Sequence, residues 1–467
     1  MQPAAKRFSR RRRAPRVPRP GPPRPTDAAT AADRAADAAE TMSRGGPAGL
    51  VVDFRLNNGV RVVLEPMRHV RSASVGLWLP AGSRDDPAGG AGLAHFLEHL
   101  VFKGSRRRSA RALAEAMDAL GGQFNAFTTR EHTCFHAHVL ARHLAEAIEL
   151  LAEMVVAPRL DADDAERERQ VILDELAMLA DDPLEAADSL WARSLWGTHA
   201  LGQPEAGDPA SVASLSAARV RRFHRAHYCG ARLVVAVAGS LDADRVRTAV
   251  SRHLGPLPQG EQARGRGPAR ARPRALRRAH AGEQAHLVFG TAGPGQGAPA
   301  RFVAALWASI LGGSPSSRLF QALREGEGLC YDVGASRTEY VDTGEIACWL
   351  AAAPENARRA AAIAVEAIRE LAATGPSADE VERHVRQLQA GVWMDLEGPE
   401  ARMQRLGRWA VSGDAWLAPG EVSASLRALR PGHVRTFAAG LGDPARWAAA
   451  YLGPSGAEPG PWRWMEG

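Results

Sequence analysis

The chain has 467 residues, too many for one ordinary hydrophobic core, so at least two domains are expected. Its 45% hydrophobic and 24% charged residues are the balance of a globular protein, not of a disordered or fibrous one. No apolar run reaches the roughly 18 residues of a membrane-spanning helix, so no membrane span is expected.

The formal charge of +7 is not a property of the folded body. Residues 1–48 hold eleven Lys/Arg against four Asp/Glu, which already makes +7. A second run, RGRGPARARPRALRR (264–278), carries seven arginines and no acid. The remainder must be mildly acidic, which argues against a basic fold built for nucleic acid. RFSRRRRAPRVPRPGPPRP (7–25) is Pro-rich and almost without large apolar residues, the composition of a disordered tail. It lacks the apolar segment of a secretory signal, and Met42 is an alternative start. Cys134, Cys229, Cys330 and Cys348 form no C-x-x-C pair. They read as buried thiols in a reducing compartment, so a cytoplasmic location is expected.

Beyond the tail, VVDFRLNNGVRVVLEP (51–66) predicts strand, Asn-Gly turn, strand. ASVGLWLPAG (73–82) predicts a buried strand ending in a Gly/Pro turn. AHFLEHL (94–100) then places His95, Glu98 and His99 on an apolar helix, preceded by Gly89, Gly90 and Gly92. His95 and His99 are one turn apart on one face and can chelate one zinc ion, with Glu98 beside them. A core helix with solvated polar edges is the plainer reading, but three titratable groups on a buried helix favour a metal.

Residues 110–122 and 141–156 predict amphipathic helices. Between them, EHTCFHAHV (131–139) puts His132, Cys134, His136 and His138 on one face of a strand. That face is a rival metal site, weakened because nothing nearby supplies a placed base. AERERQVILDELAML (165–179) sets Glu168 and Glu175 two helical turns apart on one face. From spacing alone a solvated charged helix and a source of a third ligand are both open.

The second half repeats the first. ASVGLWLPAG matches AHLVFGTAGP (285–294), while RVRRF (219–223) and ARLVVAVAG (231–239) match HVRTF (433–437) and ARWAAAYLG (445–453). Three matches in one order predict duplicated domains. The expected boundaries are a tail at 1–48, domain one at 49–258, an Arg-rich linker at 259–283, domain two at 284–455 and a C-terminal tail at 456–467. Strand runs followed by helix runs predict an α+β fold, each half an antiparallel sheet packed with helices. In the repeat, His95, Glu98 and His99 fall on Ala308, Leu311 and Gly312, so the second copy lacks the metal chemistry.

H-x-x-E-H with a glutamate 76 residues after the second histidine resembles the M16 metallopeptidases, which include pitrilysin, insulysin and the mitochondrial processing peptidase. GLAHFLEHLVFKGS (92–105), GGQFNAFTTREHTCF (121–135) and ERERQVILDEL (166–176) are similar to the family's catalytic domain. LGGSPSSRLFQALREGEGLCYDVGA (311–335) is similar to its companion domain. The resemblance spans about 49–455 and suits the short bacterial class. It implies one Zn2+ per chain held by His95, His99 and Glu175, with Glu98 as general base. It also implies a supporting acid at Glu168, a substrate-backbone edge at Asn125 and Ala126, and the family's Arg/Tyr pair at Arg324 and Tyr331, with Tyr331 assisting at the oxyanion. The expected activity is zinc-dependent cleavage of peptides or leader peptides in an enclosed cavity. The expected assembly is a homodimer or a self-contained two-domain monomer, with a peptide as the only partner and neither nucleic acid nor membrane. Two alternatives stand beside it: a non-catalytic scaffold subunit of the same family, and an anionic-surface binder working through the Arg-rich tail.

Overall fold

The computed structural model describes residues 41–43, 51–263, 265–266 and 269–454. In the first half the strands are β1 (Thr41–Ser43), β2 (Val51–Arg55), β3 (Arg61–Pro66), β4 (Ser72–Leu79), β5 (Gln123–Thr128), β6 (Thr133–Leu140) and β7 (Val234–Gly239). Its helices are α1 (Leu93–Val101), α2 (Ala110–Ala119), α3 (Leu144–Val156), α4 (Ala162–Asp181), α5 (Pro183–Trp196), α6 (Pro209–Ser214), α7 (Ala217–His227) and α8 (Ala243–Leu254). The second half holds β8 (Ala275–Ala279), β9 (Ala285–Gly293), β10 (Cys330–Glu339), β11 (Gly344–Ala352) and β12 (Ala448–Gly453). Its helices are α9 (Arg301–Gly312), α10 (Ala357–Thr374), α11 (Ala378–Met394), α12 (Pro399–Ser412), α13 (Pro419–Arg427) and α14 (Pro431–Gly440).

The α+β class holds, and the duplication is written in the sheets. The first runs β1-β2-β3-β7-β4-β6-β5 and the second β8-β12-β9-β11-β10. From β3 and β8 onward the two orders correspond strand for strand. Each sheet is antiparallel except for one pair: β3 with β7, and β8 with β12, run parallel. The expected antiparallel pattern holds apart from that one pair in each sheet. β3 and β7, like β8 and β12, are far apart in sequence, with three further strands of the same sheet and several helices between them, and so long a connection can return the chain in the same direction.

Two boundaries also shift. β8 lies inside the stretch expected to be linker, because its Ala-Leu-Arg-Arg-Ala sequence supplies the repeat's equivalent of β3. β1 lies inside the stretch expected to be tail and pairs with β2. Residues 1–40 and the C-terminal tail at 456–467 fall outside the described residues. Among the described residues, no helix is long and apolar enough to cross a membrane.

The central strands of each sheet are buried on both faces, which explains their near-continuous apolar runs, whereas β5, β8 and β10 at the edges are partly exposed. One face of the first sheet, with Val62, Val75, Leu77, Phe135 and Val237, packs on α1, α3 and α8. Its other face, with Val63, Trp78, Cys134 and Ala236, is covered by Met403, Leu406 and Ala410 of α12, a helix of the second half. The second sheet mirrors this. Leu287, Phe289 and Leu350 face α9 and α10. On the opposite side Ala347, Ala448 and Ala450 meet Trp191, Leu195 and Trp196 of α5, a helix of the first half. α5 and α12 are exchanged between the halves.

Polar groups fix the exchange. The buried Glu345 carboxylate of β11 accepts from Trp191 Nε1 at 3.2 Å, from Tyr340 Oη at 3.0 Å and from Trp196 Nε1. Arg84, its side chain only 4% exposed, bridges Glu131 of the first half at 2.8 Å and Asp342 of the second at 2.6 Å. Arg266 donates to Asp85 at 2.5 Å, and the Ala269 N–H donates to Asp342 at 3.0 Å. Part of the Arg-rich stretch is therefore pinned between the halves.

α12 approaches the first sheet closely because Gly407 has no side chain. A Cβ there would lie 2.0 Å from Cε2 of the fully buried Trp78. Gly407→Ala should lower unfolding free energy by about 1–3 kcal/mol, the usual cost of overpacking. Urea denaturation measures it. An unchanged midpoint would mean that α12 is not seated this tightly.

Candidate metal centre

α1 begins at Gly92, whose φ of +87° is left-handed and whose missing Cβ would lie 2.5 Å from the Ala206 carbonyl oxygen. The helix's open N–H groups are satisfied at a distance. Asp86 accepts from Gly92 N at 2.7 Å, Leu93 N at 3.2 Å and Ala94 N at 2.9 Å. A carboxylate there also complements the helix dipole. Leu93, Phe96, Leu97 and Leu100 enter the first core, which turns His95, Glu98 and His99 toward α4 and β5.

α4 supplies both glutamates. His95 Nε2 lies 3.8 Å from one Glu175 oxygen, and His99 Nε2 lies 3.6 Å from the other. One ligand atom from each of His95, His99 and Glu175 falls within 4.8 Å of the rest. No other such trio of His, Cys, Asp or Glu occurs among the described residues. Burial, with the neighbouring His99 ring, pushes His95 down to about 4. At neutral pH its imidazole is uncharged, as a metal ligand must be. Two imidazoles and one carboxylate are a zinc-type donor set.

Glu168 has both oxygens engaged elsewhere. Oε2 lies 3.3 Å from His99 Nδ1, and Oε1 lies 2.6 Å from Lys103 Nζ. Glu98 stands outside the trio. Burial pushes its carboxyl up, and the hydrogen bond from Thr128 Oγ1, at 2.5 Å, draws it back.

The rival histidine face does not gather. His136 lies 3.6 Å from Glu400 of α12, His138 Nδ1 pairs with Ser74 Oγ at 2.6 Å, and the His132 ring packs on Trp78 and Phe127. Cys134 lies beneath α12. That side of β6 is turned away from α1.

Asn125 and Ala126 lie on β5, the edge of the first sheet, with Asn125 exposed and its Oδ1 accepting from Ala126 N at 2.9 Å. Arg324 and Tyr331 meet each other, the guanidinium 5.7 Å from the ring centroid. Tyr331 is 75% exposed. Neither makes a hydrogen bond or ion pair with the trio in this chain.

Sequence reasoning passed over three residues at this site. Asp86 was hidden because it caps from outside the local capping window. Thr128 gives no local signal, because its hydroxyl finds Glu98 only when β5 packs beside α1. Lys103 stands four residues after His99 but in the turn that follows α1, so helical spacing alone did not place it.

A family model described as "Insulinase (Peptidase family M16)" matches residues 61–208, and one described as "Peptidase M16 inactive domain" matches 214–388. The chain belongs to peptidase family M16. A Mycobacterium tuberculosis protein named as an uncharacterized zinc protease is 37% identical over 423 residues, spanning 89% of this chain and 96% of that one. A Bacillus subtilis protein of the same description is 31% identical, spanning 88% of this M16 chain and all of its relative. The fold matches a crystal structure titled peptidase M16 inactive domain from Pseudomonas fluorescens. The TM-score is 0.81 at 21% identity, covering 87% of this chain and 98% of that one. It also matches a protease from Helicobacter pylori, with a TM-score of 0.80 at 18% identity, covering 86% and 99%.

Asp86→Ala removes three acceptor contacts from the helix that presents the histidines. It should lower unfolding free energy by about 1–3 kcal/mol. Thermal and urea unfolding of the purified variant test this, and wild-type stability would show that the cap contributes nothing.

Proposed function

We propose that this M16 chain is a zinc-dependent endopeptidase acting on extended peptides or leader segments. The observation that carries it is the His95–His99–Glu175 trio with Glu98 and its Thr128 hydrogen bond alongside. His95, His99 and Glu175 would hold one zinc ion, which when bound supplies Lewis-acid activation of water and carbonyl.

The protein's own groups do the rest. Glu98 takes the proton of the attacking water and returns it to the leaving amine. The Thr128 hydroxyl holds one Glu98 oxygen and so aims the other. Glu168 keeps the His99 ring in one orientation and tautomer. Substrate adds as a strand along β5, where the Ala126 N–H passes from the Asn125 side chain to the incoming backbone.

Tyr331 and Arg324 donate to the developing oxyanion. Exchange of α5 and α12 opposes a hinge closure that would bring them to the trio of their own chain. We therefore infer that they act on the trio of a second copy.

Glu98→Gln should abolish peptide hydrolysis while zinc content stays at wild-type level, and o-phenanthroline should inactivate the wild type. Peptide-library digestion with mass-spectrometric readout, beside metal analysis, checks both. A fully active Glu98→Gln chain would exclude Glu98 as the base.

Tyr331→Phe should cost on the order of 2–4 kcal/mol of transition-state stabilisation. Mixing equal amounts of Glu98→Gln and Tyr331→Phe chains after subunit exchange should restore about a quarter of wild-type activity, since half the dimers would carry one intact site. No recovery after demonstrated exchange would place the pair and the trio in one chain.

A further inference from the structure

We propose that Lys103 is a positioning residue for the metal centre, acting through Glu168 on His99. The inference rests on the zinc reading above and deepens it.

Lys103 lies in the turn just after α1, four residues beyond His99, and Glu168 of α4 bridges the two with one oxygen each. The Glu168 side chain is 6% exposed, whereas that of Lys103 is 38% exposed. A surface ion pair is worth little. A nearly buried carboxylate whose single cationic partner is withdrawn is a different matter, because its charge is left uncompensated. The same carboxylate is what orients the His99 ring. The other ligand imidazole has no such support: His95 Nδ1 is buried with no hydrogen-bond partner. All the outer hydrogen bonding of the two imidazoles therefore runs through the Glu168–Lys103 pair.

The pair also sets which glutamate meets the metal. Lys103 holds Glu168 Oε1, and His99 Nδ1 engages Oε2, so neither oxygen is turned to the trio. Without Lys103 the carboxylate can rotate, and His99 loses its fixed direction. Removing a positive charge near a cation would by itself tighten binding, so the sign of the effect separates positioning from simple charge.

The test is zinc affinity of the full chain, measured by competition with a chromophoric chelator at fixed pH and salt. Lys103→Met and Lys103→Gln should each weaken zinc binding roughly tenfold, the lower range for loss of an outer-sphere partner. Lys103→Arg should restore most of the loss. In a Glu168→Gln background, Lys103→Met should add nothing further. Thermal unfolding of the metal-free proteins checks that each variant is folded, and two neutral replacements guard against failure of one. Wild-type or tighter affinity in both neutral variants overturns the inference, as do losses that add fully in the double variant. A wild-type chain that takes up no zinc overturns the metal reading and this inference together.

Discussion

Everything in this molecule hangs on the exchange of α5 and α12. Each sheet presents two apolar faces, and neither half has helices enough of its own to cover both. Each lends one helix to the other, so that Trp78 is sealed by Met403 while Ala448 and Ala450 are sealed by Trp191 and Trp196. The result is two repeats that cannot complete their cores separately. The buried Glu345 and Arg84 bridges add direction to this packing, because they are satisfied in one arrangement only.

That rigidity matters for the metal centre. α5 follows α4 after a single residue, Asp182, so the helix carrying Glu168 and Glu175 is anchored at its far end in the other half. α1 is anchored independently, by the Asp86 cap and by its apolar face. The trio forms where two separately fixed helices meet, with β5 bringing Thr128 to Glu98 from a third direction. In the second repeat α9 occupies the place of α1, with Ala308, Leu311 and Gly312 instead of the chemical residues. α9 is an apolar helix in the same frame.

Much of this was legible in the sequence because it is local. The H-x-x-E-H spacing on an apolar helix points to one face, and the Glu168/Glu175 spacing points to another. The duplication showed in paired strand segments, and the Asn-Gly hairpin appeared where expected. What was not legible is what depends on long-range packing. β8 reads as Arg-rich linker because its strand character comes only from pairing with β12. The exchange of helices leaves no mark in periodicity, since a helix needs the same apolar stripe whichever sheet it covers. The choice between Glu168 and Glu175 was undecided by spacing. The Lys103 ammonium and the His99 ring separate them, and that is a tertiary fact.

The pinned stretch between the repeats has a consequence for how the chain comes apart. A peptide bond broken between residues 259 and 263 would divide the sequence, yet α5 would remain on one fragment and α12 on the other, each still buried in its neighbour's sheet. The fragments would still be held together by the packing of what each has lent, much as two hands stay clasped when a cord between the wrists is cut. Covalent continuity and mechanical continuity are thus separate properties here, and the second does not depend on the first.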